Sequence, residues 1–388
     1  MPGASRRVAL ISSSFAPYIG GVETHVDRVA RALSYTGWTA EVWTVDRGEG
    51  LGVIDDGGVR VRYLPTPLPA RSAAAMMRFA RQGRRARSAW TEAYRAFRPE
   101  ILNIQCFGPN GLYGAALARK VGAPLIVTSH GETLADDGGV FQRSWQLRQG
   151  LRRAIAGAGS VTAPSEYVLD DLRQRYGLGP SEGHIVRNGV DPIATPGQPP
   201  EPLAGDYLLG MGRLGRMKGF DLLIRAFADA DLDPSITLVI GGDGPERESL
   251  VALAAARGVA RRVTLLGALD QSEVAACMAG ALAVVVPSRA ESFGIVALEA
   301  WRAGTALVMT NRGGAVEFVH DGGDALLVDP LDGEALVRAL RRVTADSALR
   351  VRLAAAGAER LHEFTWSAVA GAYSELFDGL VAAQRTHT

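Results

Sequence analysis

Lysine is almost missing from this chain. Of its 42 basic residues, all but Lys120 and Lys218 are arginine. Cysteine is equally scarce, with Cys106 and Cys277 each set beside apolar residues. Two isolated thiols exclude a disulfide framework and fit a reducing compartment. No Cys-x-x-Cys pair or histidine-rich spacing points to zinc. No apolar run approaches the ~18 residues of a membrane span. The opening MPGASRRVALISSSFAP sets two arginines before an apolar patch, as a secretory leader would. That patch is short and rich in serine, and a first β-strand accounts for it better. A net charge of +1 gives no general attraction for nucleic acid. The expectation is a cytoplasmic protein, with peripheral contact at the inner membrane face kept open.

What is present is ordinary in bulk and uneven in distribution. A chain of 388 residues, 47% hydrophobic and 21% charged, has material for two cores. Residues 1–190 carry 24 Arg or Lys against 16 Asp or Glu, and the remainder 18 against 25. The first part is basic and the second acidic.

Strands and helices alternate through both parts. RVALISSS (7–14) reads as a buried strand. Gly20-Gly21 then opens a helix whose Val22, Val26, Val29, Ala30 and Leu33 recur at helical spacing. Strands are predicted at 38–45, 59–65, 101–106, 124–130 and 160–164, with helices at about 72–97 and 165–176. DPIATPGQPPEPLAG (191–205) is rich in Pro and Gly and reads as a linker. Strands resume at 207–211 and recur near 236, 263, 283 and 306, before a final helix at 364–377. The pattern is α/β, with two doubly wound parallel-sheet domains. The expected limits are 1–190, joined by a crossover helix at about 366–388, and 206–365.

The stretch VVVPSRAESFGIVALEAWR (284–302) is the centre of the second domain. It reads as strand, polar turn and helix start, the order of a ligand-binding corner in an open parallel sheet. N–H groups at Phe293, Gly294 and Ile295 would point out of the helix towards an anion. Glu291 and Glu299 can bracket a polyhydroxylated ligand, because carboxylates accept paired hydroxyl hydrogens. The plainer reading is a dipole-favoured carboxylate and a solvated one. Arg213 and Lys218 lie on a glycine-rich loop, where an arginine fork and a lysine point charge can hold a phosphate. Gly210-x-Gly212-x-x-Gly215 formally fits a dinucleotide fingerprint, but the helix is expected to start only at Gly219-Phe220. In the first domain, Gly20-Gly21 would let backbone approach a ligand. His130, at a strand end beside Gly131, can donate a hydrogen bond to a substrate oxygen. The helix region 71–98 carries Arg71, Arg78, Arg81, Arg84, Arg85, Arg87, Arg95 and Arg98. It suits an anionic membrane or a solvated surface equally.

Taken together, PYIGGVETHV, TSHGE, RNGVD, MGRL with RMKG, GGDGP, VPSRAESFGIVALEA and FTWSAVA stand in one order along nearly the whole chain. In that order the sequence resembles the retaining, nucleotide-sugar-dependent glycosyltransferases of the group 1, family 4 type, among the hexosyl- and mannosyltransferases. The resemblance implies a GT-B fold, with two Rossmann-like domains facing a central cleft. It implies that Arg213 and Lys218 bind the donor diphosphate, with Gly20 and Gly21 approaching it from the first domain. Glu299 would grip the ribose, and the backbone at Leu266 would contact the base. Glu291, Phe293, Gly294 and Ile295 would hold the sugar or phosphate, and His130 would lie by the sugar's 6-position. His130, Glu291, Arg213 and Lys218 form the expected catalytic set. The donor would be a UDP- or GDP-linked sugar. The acceptor would be a saccharide, a lipid-linked sugar or a small molecule. No cofactor and no metal are expected, because Asp231-Leu232-Asp233 falls in a loop and not at a strand end. An epimerase or hydrolase on the same fold, a nicotinamide enzyme using 210–215, and a non-catalytic sugar-nucleotide binder are the alternatives.

Overall fold

The computed structural model describes residues 6–17, 20–69, 73–134, 139–193, 197–200, 203 and 205–386, without the side chains of 73–78. The chain divides into two units. The first takes in residues up to 134, 139–188 and the segment from Trp366 onward, and the second is 189–365.

The strands of the first unit are β1 (Arg6–Ser12), β2 (Trp38–Val45), β3 (Val53–Asp56), β4 (Val59–Leu64), β5 (Ile101–Gln105), β6 (Leu125–Thr128), β7 (Ser160–Ala163) and β8 (His184–Ile185). They form one sheet in the order β3-β4-β2-β1-β5-β6-β7-β8. All neighbours are parallel except β3 and β4. Its helices are α1 (Gly21–Leu33), α2 (Ala73–Phe97), α3 (Pro109–Val121), α4 (Val140–Arg143), α5 (Trp145–Ala156) and α6 (Glu166–Tyr176). Alternate residues of β1 feed opposite faces. Val8 and Leu10 join a core with Val26 and Leu33 of α1. Ala9 and Ile11 join another with Leu117 of α3 and Leu151 of α5. Both faces are therefore covered, and full burial of a side chain such as Leu10 contributes ~1.5–3 kcal/mol.

The second unit has β9 (Tyr207–Met211), β10 (Thr237–Gly241), β11 (Val263–Gly267), β12 (Ala283–Val286), β13 (Ala306–Thr310) and β14 (Leu326–Val328). Their order is β11-β10-β9-β12-β13-β14 and every pair is parallel. The helices are α7 (Phe220–Asp229), α8 (Arg247–Ala256), α9 (Gln271–Gly280), α10 (Ile295–Arg302), α11 (Gly333–Ala345) and α12 (Ser347–Glu359). The chain then rejoins the first unit as α13 (Trp366–Thr386), whose Tyr373 and Phe377 pack with Val8, Leu10 and α1.

Topology sets the ligand positions. In the first sheet the chain builds outward from β1 to β4, then restarts on the other side at β5. In the second it builds from β9 to β11, then restarts at β12. The gaps beyond β1/β5 and β9/β12 are the switch points where open sheets accept ligands. Gly20 follows β1, Lys218 follows β9 and Glu291 follows β12. Among the described residues, no helix is long and apolar enough to cross a membrane.

Candidate functional site

At the second unit's switch point, Lys218 Nζ lies 2.8 Å from Glu291 Oε2. Ser288 Oγ donates to the same oxygen at 2.9 Å. Glu291 is 7% exposed, so this carboxylate depends on its partners. Its backbone is fixed as well, donating to the Arg312 carbonyl at 3.0 Å and accepting from Gly314 N–H at 2.8 Å. The turn 216–218 that presents Lys218 is clamped from the same loop. Arg289 N–H donates to the Met217 carbonyl at 2.8 Å. Its guanidinium forks onto Asp221 and also reaches the Arg216 carbonyl, each contact at 2.7 Å. Burial raises the Asp221 carboxyl, but the Arg289 fork outweighs it and holds the group below its ordinary value. Gly219 makes the approach possible. Its φ is 70°, and a Cβ there would meet the Pro287 carbonyl oxygen at 2.0 Å.

Arg213 is exposed on the same loop, and its side chain makes no hydrogen bond or ion pair among the described residues. Glu299 is partly buried in α10, and its side chain also makes neither. Burial raises its carboxyl, with Arg302 pulling the other way. A cation and a carboxylate, both unengaged, flank the engaged Lys218–Glu291 pair in sequence. Gly294, at φ 94°, starts α10 with no side-chain cap; Ala297 N–H turns back to the Gly294 carbonyl at 2.9 Å, and the N–H groups of Ile295 and Val296 have no partner among the described residues. The ring of Phe293 is core, stacked on Phe318 at 4.3 Å between centroids, so only its backbone can serve a ligand. Leu266 is half-buried on β11 beside Gly267, whose carbonyl accepts from Gly242 N–H at 2.7 Å.

In the first unit, Gly20 and Gly21 form the N-terminus of α1 beyond β1, again with no side-chain cap. His130 follows β6. Its Nε2 is 2.9 Å from Gln105 Oε1, and its ring centroid is 4.6 Å from that of His25. Burial and then His25 hold the His130 imidazole well below its ordinary range, so the ring is neutral. Glu132 is a structural member of TSHGE. It accepts Phe107 N–H at 2.8 Å, Ser129 Oγ at 2.9 Å and His130 N–H at 2.8 Å, which ties the β5 and β6 loops together. Sequence reasoning passed over His25, Gln105 and Asn188. His25 and Asn188 stand inside the quoted GGVETHV and RNGVD runs, and a polar residue on an apolar helix face was the available signal.

The basic helix is α2. Arg81, Arg84, Arg85, Arg87, Arg95 and Arg98 are exposed, whereas Trp90 is core and donates to the Pro65 carbonyl. Arg71 and the side chain of Arg78 lie outside the described residues. Among the described residues, no three His, Cys, Asp or Glu side chains are grouped to hold a metal ion.

Sucrose-phosphate synthase from Thermosynechococcus elongatus superposes with a TM-score of 0.81 at 24% identity, covering 97% of this chain and all of that one. The Anabaena protein HepE in complex with UDP and glucose superposes at 0.78 and 20% identity, covering 96% of this chain and all of its own. Two parallel-sheet α/β units of this kind make up the GT-B fold. The sequence models described as Glycosyltransferase Family 4 and Glycosyl transferases group 1 match residues 19–193 and 195–360. D-inositol 3-phosphate glycosyltransferase of Frankia alni is 34% identical over 67% of this chain and 70% of its own length. Glycogen synthase of Mycobacterium tuberculosis is 32% identical over 70% of this chain and 66% of its own. The chain belongs to the group 1 glycosyltransferases, which move a sugar from a nucleotide-sugar donor.

Proposed function

We propose that this enzyme transfers a hexose from a UDP- or GDP-linked sugar to a hydroxyl of a saccharide, glycolipid or small-molecule acceptor, with the anomeric configuration retained. The observation that carries the reading is the Lys218–Glu291 pair at the switch point, with Arg213 unengaged on the same loop. A neighbour bound to UDP and glucose and relatives named for glycogen and inositol phosphate support it.

In this reading Arg213 and Lys218 bind the diphosphate and offset the charge that grows on it as it leaves. Preorganised groups of this kind contribute ~3–4 kcal/mol each to transition-state stabilisation. The N–H groups at Phe293, Gly294 and Ile295 assist them. Glu299 holds the ribose hydroxyls, the backbone at Leu266 meets the base, and Glu291 and His130 meet the sugar. Gly20 and Gly21 give the diphosphate backbone N–H groups from the first unit. The bond from the anomeric carbon to the phosphate oxygen breaks. A bond to the acceptor oxygen forms on the same face, and the acceptor's proton passes to the leaving phosphate. Arg213 and Lys218 fill the electrostatic role a metal would otherwise take, so the reaction is proposed to run without one.

Product analysis by proton NMR, from a panel of UDP- and GDP-sugars with a chelator present, tests the reading. Retained configuration and undiminished turnover are expected. An inverted product, or donor breakdown that added acceptor leaves unchanged, overturns it. The exposed arginines of α2 are proposed to rest on an anionic membrane. Vesicle binding should then need anionic lipid and weaken with salt.

A further inference from the structure

A row of polar residues crosses the first sheet at its C-terminal edge. Gln105, Thr128 and Thr162 are register partners on β5, β6 and β7. Each is at most 2% exposed. Buried polar groups in a sheet cost free energy unless they are satisfied, and these form a directed chain. Thr128 Oγ and Thr162 Oγ lie 2.7 Å apart. Asn103 Nδ2 donates to Thr128 Oγ at 3.0 Å. Gln105 Nε2 donates to Asn103 Oδ1 at 2.5 Å. With its amide nitrogen committed, Gln105 presents its carbonyl oxygen to His130 Nε2 at 2.9 Å, and that oxygen can only accept. An accepting oxygen at that distance calls for the His130 proton on Nε2.

His25 makes a second contact with the ring. His25 Nδ1 donates to Asn188 Oδ1 at 2.7 Å, and its Nε2 takes the Tyr373 hydroxyl at 3.4 Å. With both nitrogens occupied, His25 meets His130 through its ring alone, edge to face at 69°. His130 Nδ1 makes no hydrogen bond among the described residues. The backbone stores strain nearby: Cys106, next to Gln105, is a non-glycine residue at φ 64°.

We propose that Gln105 and His25 are positioning residues that keep the His130 proton on Nε2, so that Nδ1 faces the donor sugar as a hydrogen-bond acceptor. This rests on the proposed reading of His130 as a sugar contact. It reverses the direction of the hydrogen bond expected from the sequence, in which His130 donates. A fixed acceptor selects a sugar that offers a hydroxyl at that point. It rejects one that offers a carboxylate, because two lone-pair donors then face each other without a proton.

The test begins with the unmodified protein. Two-dimensional nitrogen-15 spectra of the imidazole groups at neutral pH distinguish the two neutral tautomers and the doubly protonated ring. A His130 signal protonated on Nε2 alone is expected. Protonation on Nδ1, or on both nitrogens, overturns the proposal. Gln105→Glu should then draw a second proton onto the ring and raise the ratio of uronate-donor to hexose-donor turnover by about tenfold, the effect of one hydrogen bond reversed. An unchanged ring signal in a folded Gln105→Glu protein also overturns it. If the tautomer is as stated but His130→Ala leaves donor turnover intact, the sugar-contact reading fails and the positioning of His130 survives.

Discussion

Lys218 and Glu291 are 73 residues apart in the chain and meet at 2.8 Å. Each stands on the first loop after a strand at the switch point, so topology, not local sequence, brings them together. The pair also keeps a mostly buried carboxylate satisfied when no ligand supplies a partner.

Removing the cation separates the catalytic role from the structural one. Lys218→Ala should lower kcat by on the order of 100-fold, as expected when a transition-state charge partner is lost. Lys218→Arg keeps the charge and should recover part of the rate. Steady-state kinetics on protein checked for folding by circular dichroism decide it. A Lys218→Ala enzyme with near-normal kcat would remove Lys218 from the mechanism.

Glu299 should show a conflict between binding and stability. Burial raises its folded-state carboxyl above the unfolded value. The folded chain then holds the proton more tightly, so this group's contribution to stability falls as pH rises through that window. Glu299→Gln should raise Tm at pH 7, and the gain should fade at acid pH where Glu299 itself is protonated. The same variant should bind the nucleotide-sugar more weakly by calorimetry. Unchanged donor affinity would return Glu299 to a plain helix carboxylate.

His25 gives the first unit an acid limit. Burial, against the Asn188 hydrogen bond, lowers its pKa to about 4. Between 6.5, the ordinary value, and about 4 the unfolded chain takes up a proton that the folded chain refuses. Stability is therefore full above that window and falls as pH drops through it, by on the order of 3 kcal/mol from this group. Urea unfolding between pH 7 and 4.5 should show the slope. His25→Asn should flatten it, and a slope identical in both proteins would assign the acid loss elsewhere.

Two glycines at helix starts should respond oppositely. A Cβ on Gly219 would meet backbone, the Pro287 carbonyl oxygen, at 2.0 Å and would need φ 70°. Gly219→Ala should cost more than ~2 kcal/mol and disturb the Lys218 turn. A Cβ on Gly20 would meet only the end of the Glu23 side chain, at 2.5 Å, which can swing away. Gly20→Ala should keep the wild-type Tm while donor KM rises. Equal Tm losses would mean that the Gly20 turn is as tightly built as the other.

Much of this architecture was legible. The predicted strands 38–45 and 207–211 match β2 and β9, and the start of α7 at Phe220 follows the expected helix start. The period-two and buried-strand patterns are strong there because both faces of each sheet are covered. The edge strand β3 was passed over, since it alternates exposed and half-buried residues and carries little apolar signal. Helix α3 was passed over, since Gly111 and Gly114 dilute its apolar pattern and lower its helix propensity. In fact Gly114 lets α3 sit close on β1, where a Cβ would meet Ile11 at 2.9 Å. Helix α5 was passed over as well, although Leu147, Leu151 and Ile155 repeat at helical spacing behind a Ser144 cap. The strand expected to reach 106 stops at Gln105 because Cys106 turns left-handed. At the site, charged residues on glycine loops were readable from spacing. The roles of Gln105, Asn103 and Thr128 were not, because their meaning lies in register across three strands.

Tyr373, which meets His25 in the first unit, is synthesised after the whole of 189–365. During translation the second unit, one continuous segment among the described residues, has all its described strands before the first unit gains α13. Until α13 emerges, the apolar faces of α1 and β1 that it covers stay open to water. The nascent chain therefore carries a nearly finished but uncovered unit through the making of 177 further residues. That interval is where a chaperone would have most to hold.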